Sequence, residues 1–164
     1  MRYFILTTLI ICISCSEVDK SKLIEAEFKV DPILLAEKAY SDNSGFQINI
    51  PRNWDEVLDS LSTPFYMSGL DAYFYNSSDS SILMINSDSI PLDFTGDIQS
   101  TKFILGDCII HQSVFQNELF LIFNLKVTPA PEKYLYFVLH KKDLENKIRQ
   151  VESSIGSIKK TIIN

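Results

Sequence analysis

The run Leu119-Phe120-Leu121-Ile122-Phe123-Asn124-Leu125-Lys126-Val127 and, after the break Pro129-Ala130-Pro131, the run Tyr134-Leu135-Tyr136-Phe137-Val138-Leu139-His140 decide the fold. Both are short, apolar and rich in aromatic and branched residues, so they read as strands. A sheet with one wet face alternates apolar and polar residues. Residues 119–123 and 134–139 are apolar on both faces, so something must cover part of the second face.

One cover follows directly. Leu144, Ile148, Val151, Ile155 and Ile158 recur every three or four residues, with Glu145, Lys147, Arg149 and Glu152 elsewhere. This is an amphipathic helix over 144–158, with Asp143 as N-cap, expected to dock on the sheet. Working back along the chain, Asn117-Glu118 and Gly106-Asp107 are turns, and 108–115 and 103–105 are strands. Together these runs predict an antiparallel meander. Residues 72–75 and 82–85 flank Asn76-Ser77-Ser78-Asp79 as a hairpin. Residues 87–99 are dense in Asn, Ser, Asp, Pro and Gly and read as an irregular loop.

Nearer the start, Asn43-Ser44-Gly45 is turn chemistry. Phe46, Ile48 and Ile50 alternate with Gln47 and Asn49, a half-buried strand that Pro51 ends. Trp54, Val57, Leu58 and Leu61 then fall at i, i+3, i+4 and i+7, the stripe of a short helix. Residues 23–39 read as helix or strand. Asp31-Pro32 is a good helix start and favours a short helix over 33–39.

Gly45-Phe46-Gln47-Ile48-Asn49-Ile50-Pro51 followed by Trp54 resembles the opening of the PsbP/Mog-like superfamily, whose members often read Gly-Phe-x-hydrophobic-x-hydrophobic-Pro-x-x-Trp. They often close with a strand and a helix carrying a Ser-hydrophobic pair, as in Val151-Glu152-Ser153-Ser154-Ile155. The resemblance covers about 40–160 of the chain. It implies an α+β fold with an antiparallel sheet between helical layers, an α/β/α sandwich. It also implies binding and assembly roles rather than catalysis. Some members are bacterial envelope lipoproteins, and some resemble chaperones for hydrophobic segments of exported proteins.

The first fifteen residues carry an address. Arg2 is their single charge, 3–13 are almost wholly apolar, and Ser14-Cys15 lead into Ser16-Glu17. The apolar run is shorter than the ~20 residues a spanning helix needs. A basic start, short apolar core and small residue before the cut mark a secretory signal peptide. Cys12-Ile13-Ser14-Cys15 also resembles the lipobox of bacterial lipoproteins. That resemblance implies diacylglycerol on Cys15, cleavage between Ser14 and Cys15, and acylation of the new amino group. Several acyl chains hold a protein to a bilayer stably where one does not. The expected organisation is a leader over 1–14, removed in processing, a lipidated tether over 15–22, and a single α+β domain over 23–164. The lipid bilayer is then a partner through acylated Cys15. The location is the bacterial cell envelope. Ser16 after the cysteine favours the outer over the inner membrane, by the sorting pattern of many Gram-negative lipoproteins.

Removing the leader takes away Arg2 and no acid, so the net charge of −6 becomes −7. That balance argues against nucleic acid, whose binding is driven by neutralising phosphates, and against a polybasic grip on anionic lipid. Of three cysteines, Cys12 is discarded and Cys15 acylated. Cys108 remains alone, so no disulfide forms within the mature chain, and it reads as a small buried hydrophobe.

No cofactor or catalytic motif is present: no phosphate loop, no Gly-x-Ser-x-Gly elbow, no His-Glu-x-x-His. Cys108 and His111 have Cys-x-x-His spacing, but residues three apart on a strand point to opposite faces. Neither a metal site nor a nucleophile pair is expected from them. His140, beside Lys141 and Lys142, reads as an exposed strand end. Asp79, Asp88, Asp93 and Asp97 lie in polar loops without calcium-loop spacing. Phe115, Phe120, Phe123, Tyr134, Tyr136 and Phe137 read first as core. A possible apolar binding face uses Phe120, Phe123, Tyr134 and Tyr136. The function that fits is a non-catalytic binding, scaffold or chaperone-like module, its partner an envelope protein segment or an apolar ligand. The alternative is an envelope enzyme whose carboxylates or His140 meet only in the fold.

Overall fold

The computed structural model describes residues 23–58, 69–91, 97–128 and 131–160. The leader, Cys15, the tether and Leu61 lie outside them. In chain order the described residues form β1 (Ile24–Glu25), a 3-10 turn (Pro32–Leu34), β2 (Leu35–Ser41), β3 (Phe46–Pro51), β4 (Asp55–Glu56), β5 (Ala72–Asn76) and β6 (Ser81–Asn86). They continue with β7 (Asp97–Leu105), β8 (Cys108–Gln116), β9 (Phe120–Thr128), β10 (Lys133–His140), α1 (Leu144–Gly156) and β11 (Lys159–Lys160). Eight strands make one sheet in the order β1-β7-β8-β9-β10-β6-β5-β4, and three make a second in the order β11-β3-β2. The large sheet is mixed. The meander and hairpin are antiparallel as expected, but β1 lies parallel to β7, with Ile24 opposite Phe103 and Glu25 opposite Ile104.

The two-residue period of the strands sorts their side chains onto two faces. Leu121, Phe123, Leu125 and Val127 of β9, with Leu135, Phe137 and Leu139 of β10, face inward. There they meet Phe46, Ile48 and Ile50 of β3, Trp54, and Val151, Ile155 and Ile158. Each such buried side chain contributes about 1.5–3 kcal/mol. The helix therefore does cover the sheet, but as part of a layer it shares with the small sheet, and α1 lies chiefly against β3. On the outer face Tyr73, Ile82, Met84, Ile122, Tyr136 and Val138 form a second cluster. Ile90, Leu70 and Val57, from segments between strands, pack onto it. The second helical layer of an α/β/α sandwich is not found among the described residues.

Local propensity loses to long-range pairing at several places. Asp31 caps the turn as expected, accepting the Ile33 N–H at 3.0 Å, but the helix stops after one turn. Leu35 is buried, and the following residues pair with β3 as β2, so 33–39 is not the predicted helix. The Trp54 stripe is not helical either. Asp55–Glu56 pairs with β5, Trp54 enters the inner core, Val57 joins the outer cluster and Leu58 is exposed. Residues 97–99, read as loop, extend β7. Asp143 sits at the N-cap of α1 in the left-handed region (φ 54°) and makes no side-chain capping bond.

The turn into β3 is built by Asp42. Its Oδ1 accepts the Ser44 N–H at 2.9 Å, the Ser44 hydroxyl at 2.6 Å and the Phe46 N–H at 3.1 Å. Gly45 supplies the left-handed residue this turn requires (φ 81°).

Candidate functional site

Successive residues of a strand direct their backbone N–H and C=O to opposite edges. Ile104 accepts the Ala26 N–H at 2.9 Å, so its backbone faces the outer edge of β7. By the two-residue repeat, Lys102, Ser100 and Ile98 face that edge as well, while the odd-numbered residues face β8. β1 pairs only with Phe103 and Ile104. In that parallel register the Lys102 carbonyl takes the Ile24 N–H, so among the described residues the outer edge is open at Ile98 and Ser100.

The other edges are blunted in the ways that keep sheets from joining. β4 is two acidic residues, β11 is two lysines, and β2 carries Glu37, Lys38 and a register shift between Leu35 and Ala39. In β7 the residues Ile98, Gln99, Ser100 and Thr101 are uncharged and exposed, Ile98 by 56%. The open stretch is thus the uncharged part of a long strand, between Asp97 and Lys102.

Cross-strand rows order the face beside it. Ile98 lies opposite Phe115, which lies opposite Ile122. The Ser100 and Ser113 hydroxyls are 3.0 Å apart. Lys102, His111, Lys126 and Tyr134 form the next row. Lys126 pairs with Glu132 at 2.8 Å and lies 5.6 Å above the Tyr134 ring. Desolvation and the neighbouring Lys102 and Lys126 charges hold the His111 imidazole below its ordinary pKa.

The four aromatics expected to share a binding face do not. Phe123 points into the inner core, opposite Phe120, Tyr134 and Tyr136, because an odd residue of β9 cannot share a face with an even one. Tyr136 is fully buried, and its hydroxyl accepts the Ile90 N–H at 2.8 Å. Phe120 and Tyr134 are half-buried, and Phe120 meets the His140 ring edge-on at 5.7 Å.

Cys108 is buried on the inner face and His111 exposed on the outer. Burial pushes the Cys108 thiol up, with the Lys160 charge opposing, so the thiolate is disfavoured. His140 is half-buried and lines a cleft of about 420 Å³ with Asp79, Lys142, Asp143 and Lys147. These groups mostly engage one another. His140 Nδ1 accepts the Lys142 N–H at 3.2 Å. Asp79 accepts the Ser81 N–H at 2.9 Å and lies 3.5 Å from Lys147 Nζ, which donates to the His140 carbonyl at 3.0 Å. Among the described residues no three His, Cys, Asp or Glu side chains form a metal-binding group. No helix among them is long and apolar enough to cross a membrane.

Sequence reasoning missed an ion cluster around the buried Lys133 at the opposite end of the sheet. Lys133 Nζ lies 2.6 Å from Asp42 Oδ2 and 2.7 Å from Asp71 Oδ2, and donates to Ser87 at 2.9 Å. Burial alone would lower the Lys133 pKa and raise that of Asp42. The hydrogen bonds between them reverse both, so Lys133 is raised and Asp42 lowered. The one legible signal was a lysine entering an otherwise apolar strand.

No protein-family model matches this chain, and no curated protein matches it. Among solved structures it is similar to the solution structure of cyanobacterial PsbP (CyanoP) from Synechocystis sp. PCC 6803. The identity is 14% and the TM-score 0.49, over 76% of this chain and 92% of that one.

Proposed function

We propose that this chain is a lipid-anchored bacterial envelope protein that binds a segment of another envelope protein as an added strand on β7. The role is non-catalytic, that of a scaffold or chaperone-like module. The observation that carries the reading is the backbone of Ile98 and Ser100, unpaired among the described residues on an uncharged stretch of a nine-residue edge strand that has no register shift. An added strand satisfies those groups, and side-chain rows beside it set specificity. The anchor rests on residues 1–15 and the acylation they imply at Cys15; Ser16 favours the outer membrane. The mutual contacts of Asp79, Lys147 and His140 in their cleft favour binding over catalysis.

Ser100→Pro removes an outward donor and leaves the bonds to β8 in place, since proline is tolerated on an edge. In a pull-down from membranes with the intact lipidated protein, Ser100→Pro should lose the partner while Ser100→Ala keeps it. Equal capture by both ends the edge reading. Cys15→Ala followed by cell fractionation tests the anchor. Undiminished membrane association with no change in acyl mass would refute it.

A further inference from the structure

A second cavity, of about 530 Å³, opens where the segment 30–37 passes the C-terminal end of α1. Its volume lies within the range of small-molecule sites, about 300–1,000 Å³. Val30, Pro32, Leu35 and Ala36 form an apolar wall, and Arg52 and Lys159 stand among its lining residues. Leu35 is buried in the core, whereas Val30 is 39% exposed, so an occupant has apolar surface to cover.

The two cations are the telling feature. In a chain of net charge −6, both lack an ion-pair partner among the described residues. Among the described residues Arg52 commits only its Nε, to the Leu35 carbonyl at 3.4 Å, which leaves its terminal N–H groups for a ligand. Lys159 is exposed. Glu37 is the one acid in the lining, so the balance stays positive. The segment beside the cavity packs closely on the end of α1. A Cβ on Gly156 would come within 2.6 Å of the Phe28 Cβ and 3.0 Å of the Val30 Cγ2, so only glycine lets the segment 28–30 cross the helix end.

We infer that this cavity binds a single-chain amphiphile with an anionic head, the tail against Val30, Pro32, Leu35 and Ala36 and the head at Arg52 and Lys159. Carboxylate and phosphate heads share this chemistry, since both accept hydrogen bonds from guanidinium and ammonium. The inference rests on the cavity alone and is independent of the β7 edge.

The test uses the intact protein in phosphatidylcholine nanodiscs, with hydrogen exchange followed by mass spectrometry on adding octanoate, octyl phosphate or octanol. One or both anions should slow exchange at 30–37 and 156–159, at concentrations at least tenfold below those octanol needs. Response to octanoate alone assigns a carboxylate head, and to octyl phosphate alone a phosphate head. The double variant Arg52→Gln, Lys159→Gln should lose the preference for anions while its exchange without ligand elsewhere is unchanged. Ala36→Phe, which narrows the cavity, should weaken both anions tenfold or more. No protection by either anion, protection by octanol at equal concentration, or an undiminished anion preference in the double variant would each overturn the inference.

Discussion

The Ser154 hydroxyl donates to the Asn49 carbonyl at 2.5 Å, two residues along β3 from where β11 pairs with Gln47. The Ser157 hydroxyl accepts the Asn49 N–H at 2.8 Å. Side chains at the end of α1 thus continue the ladder that β11 begins and fasten the helix to the small sheet. Ser154 is fully buried, so Ser154→Ala leaves a carbonyl without its donor and should cost about 1–3 kcal/mol. Urea unfolding measures it. A midpoint equal to that of the unaltered protein would mean the bond is dispensable.

The inner stripe of α1 should dominate its contribution. Ile155 is 1% exposed and Val151 fully buried, whereas Ile148 is half-buried. Ile155→Ala should cost about 2–5 kcal/mol and lower Tm by about 2–4 °C for each kcal/mol. Ile148→Ala should cost clearly less. Calorimetry of the two variants checks the order, and the reverse order would mean the helix docks by a different face.

Removing the buried Lys133 leaves the part-buried Asp42 and the exposed Asp71 without their cation. Lys133→Met should cost about 1–3 kcal/mol, less than breaking a fully buried pair, because water reaches the carboxylates it leaves. Because the Asp42 carboxyl is depressed, its contribution is present above the ordinary carboxylate value of about 3.9 and is lost as pH falls through its lower folded value. Asp42→Asn should therefore flatten the acid limb of the stability profile below about pH 4. An unchanged limb would place the acid sensitivity elsewhere.

His111 acts in a different window. Its folded pKa is depressed, by desolvation first and then by Lys102 and Lys126, so the unfolded chain binds the proton more readily. Its contribution is complete above the unfolded value of about 6.5 and declines as pH falls through it toward the lower folded value. Thermal melts between about pH 7.5 and 5.5 should show a smaller decline for His111→Gln than for the unaltered protein. Equal declines would remove His111 as the cause.

What the sequence determined by itself was whatever local period and turn chemistry control. The alternation of Phe46, Ile48 and Ile50, the asparagine and glycine turns of the meander, the hairpin at Asn76 and the stripe of α1 each appear within ten or fifteen residues, and all are in the structure. The opposition of Cys108 and His111 followed from the same two-residue period. Tertiary structure decided the rest. Residues 35–41 became a strand because β3 offered partners that outweigh a weak helical preference, and the Trp54 stripe yielded to pairing with β5 in the same way. The two-residue period already set Phe120 and Phe123 on opposite faces of β9, and tertiary structure decided only that the Phe123 face is the one packed on α1 and β3. Asp42, Asp71 and Lys133 are far apart in sequence, and their meeting has no local signature. The open edge of β7 and the cavity beside Arg52 are properties of what does not lie next to a residue, and those depend on where every distant segment has gone.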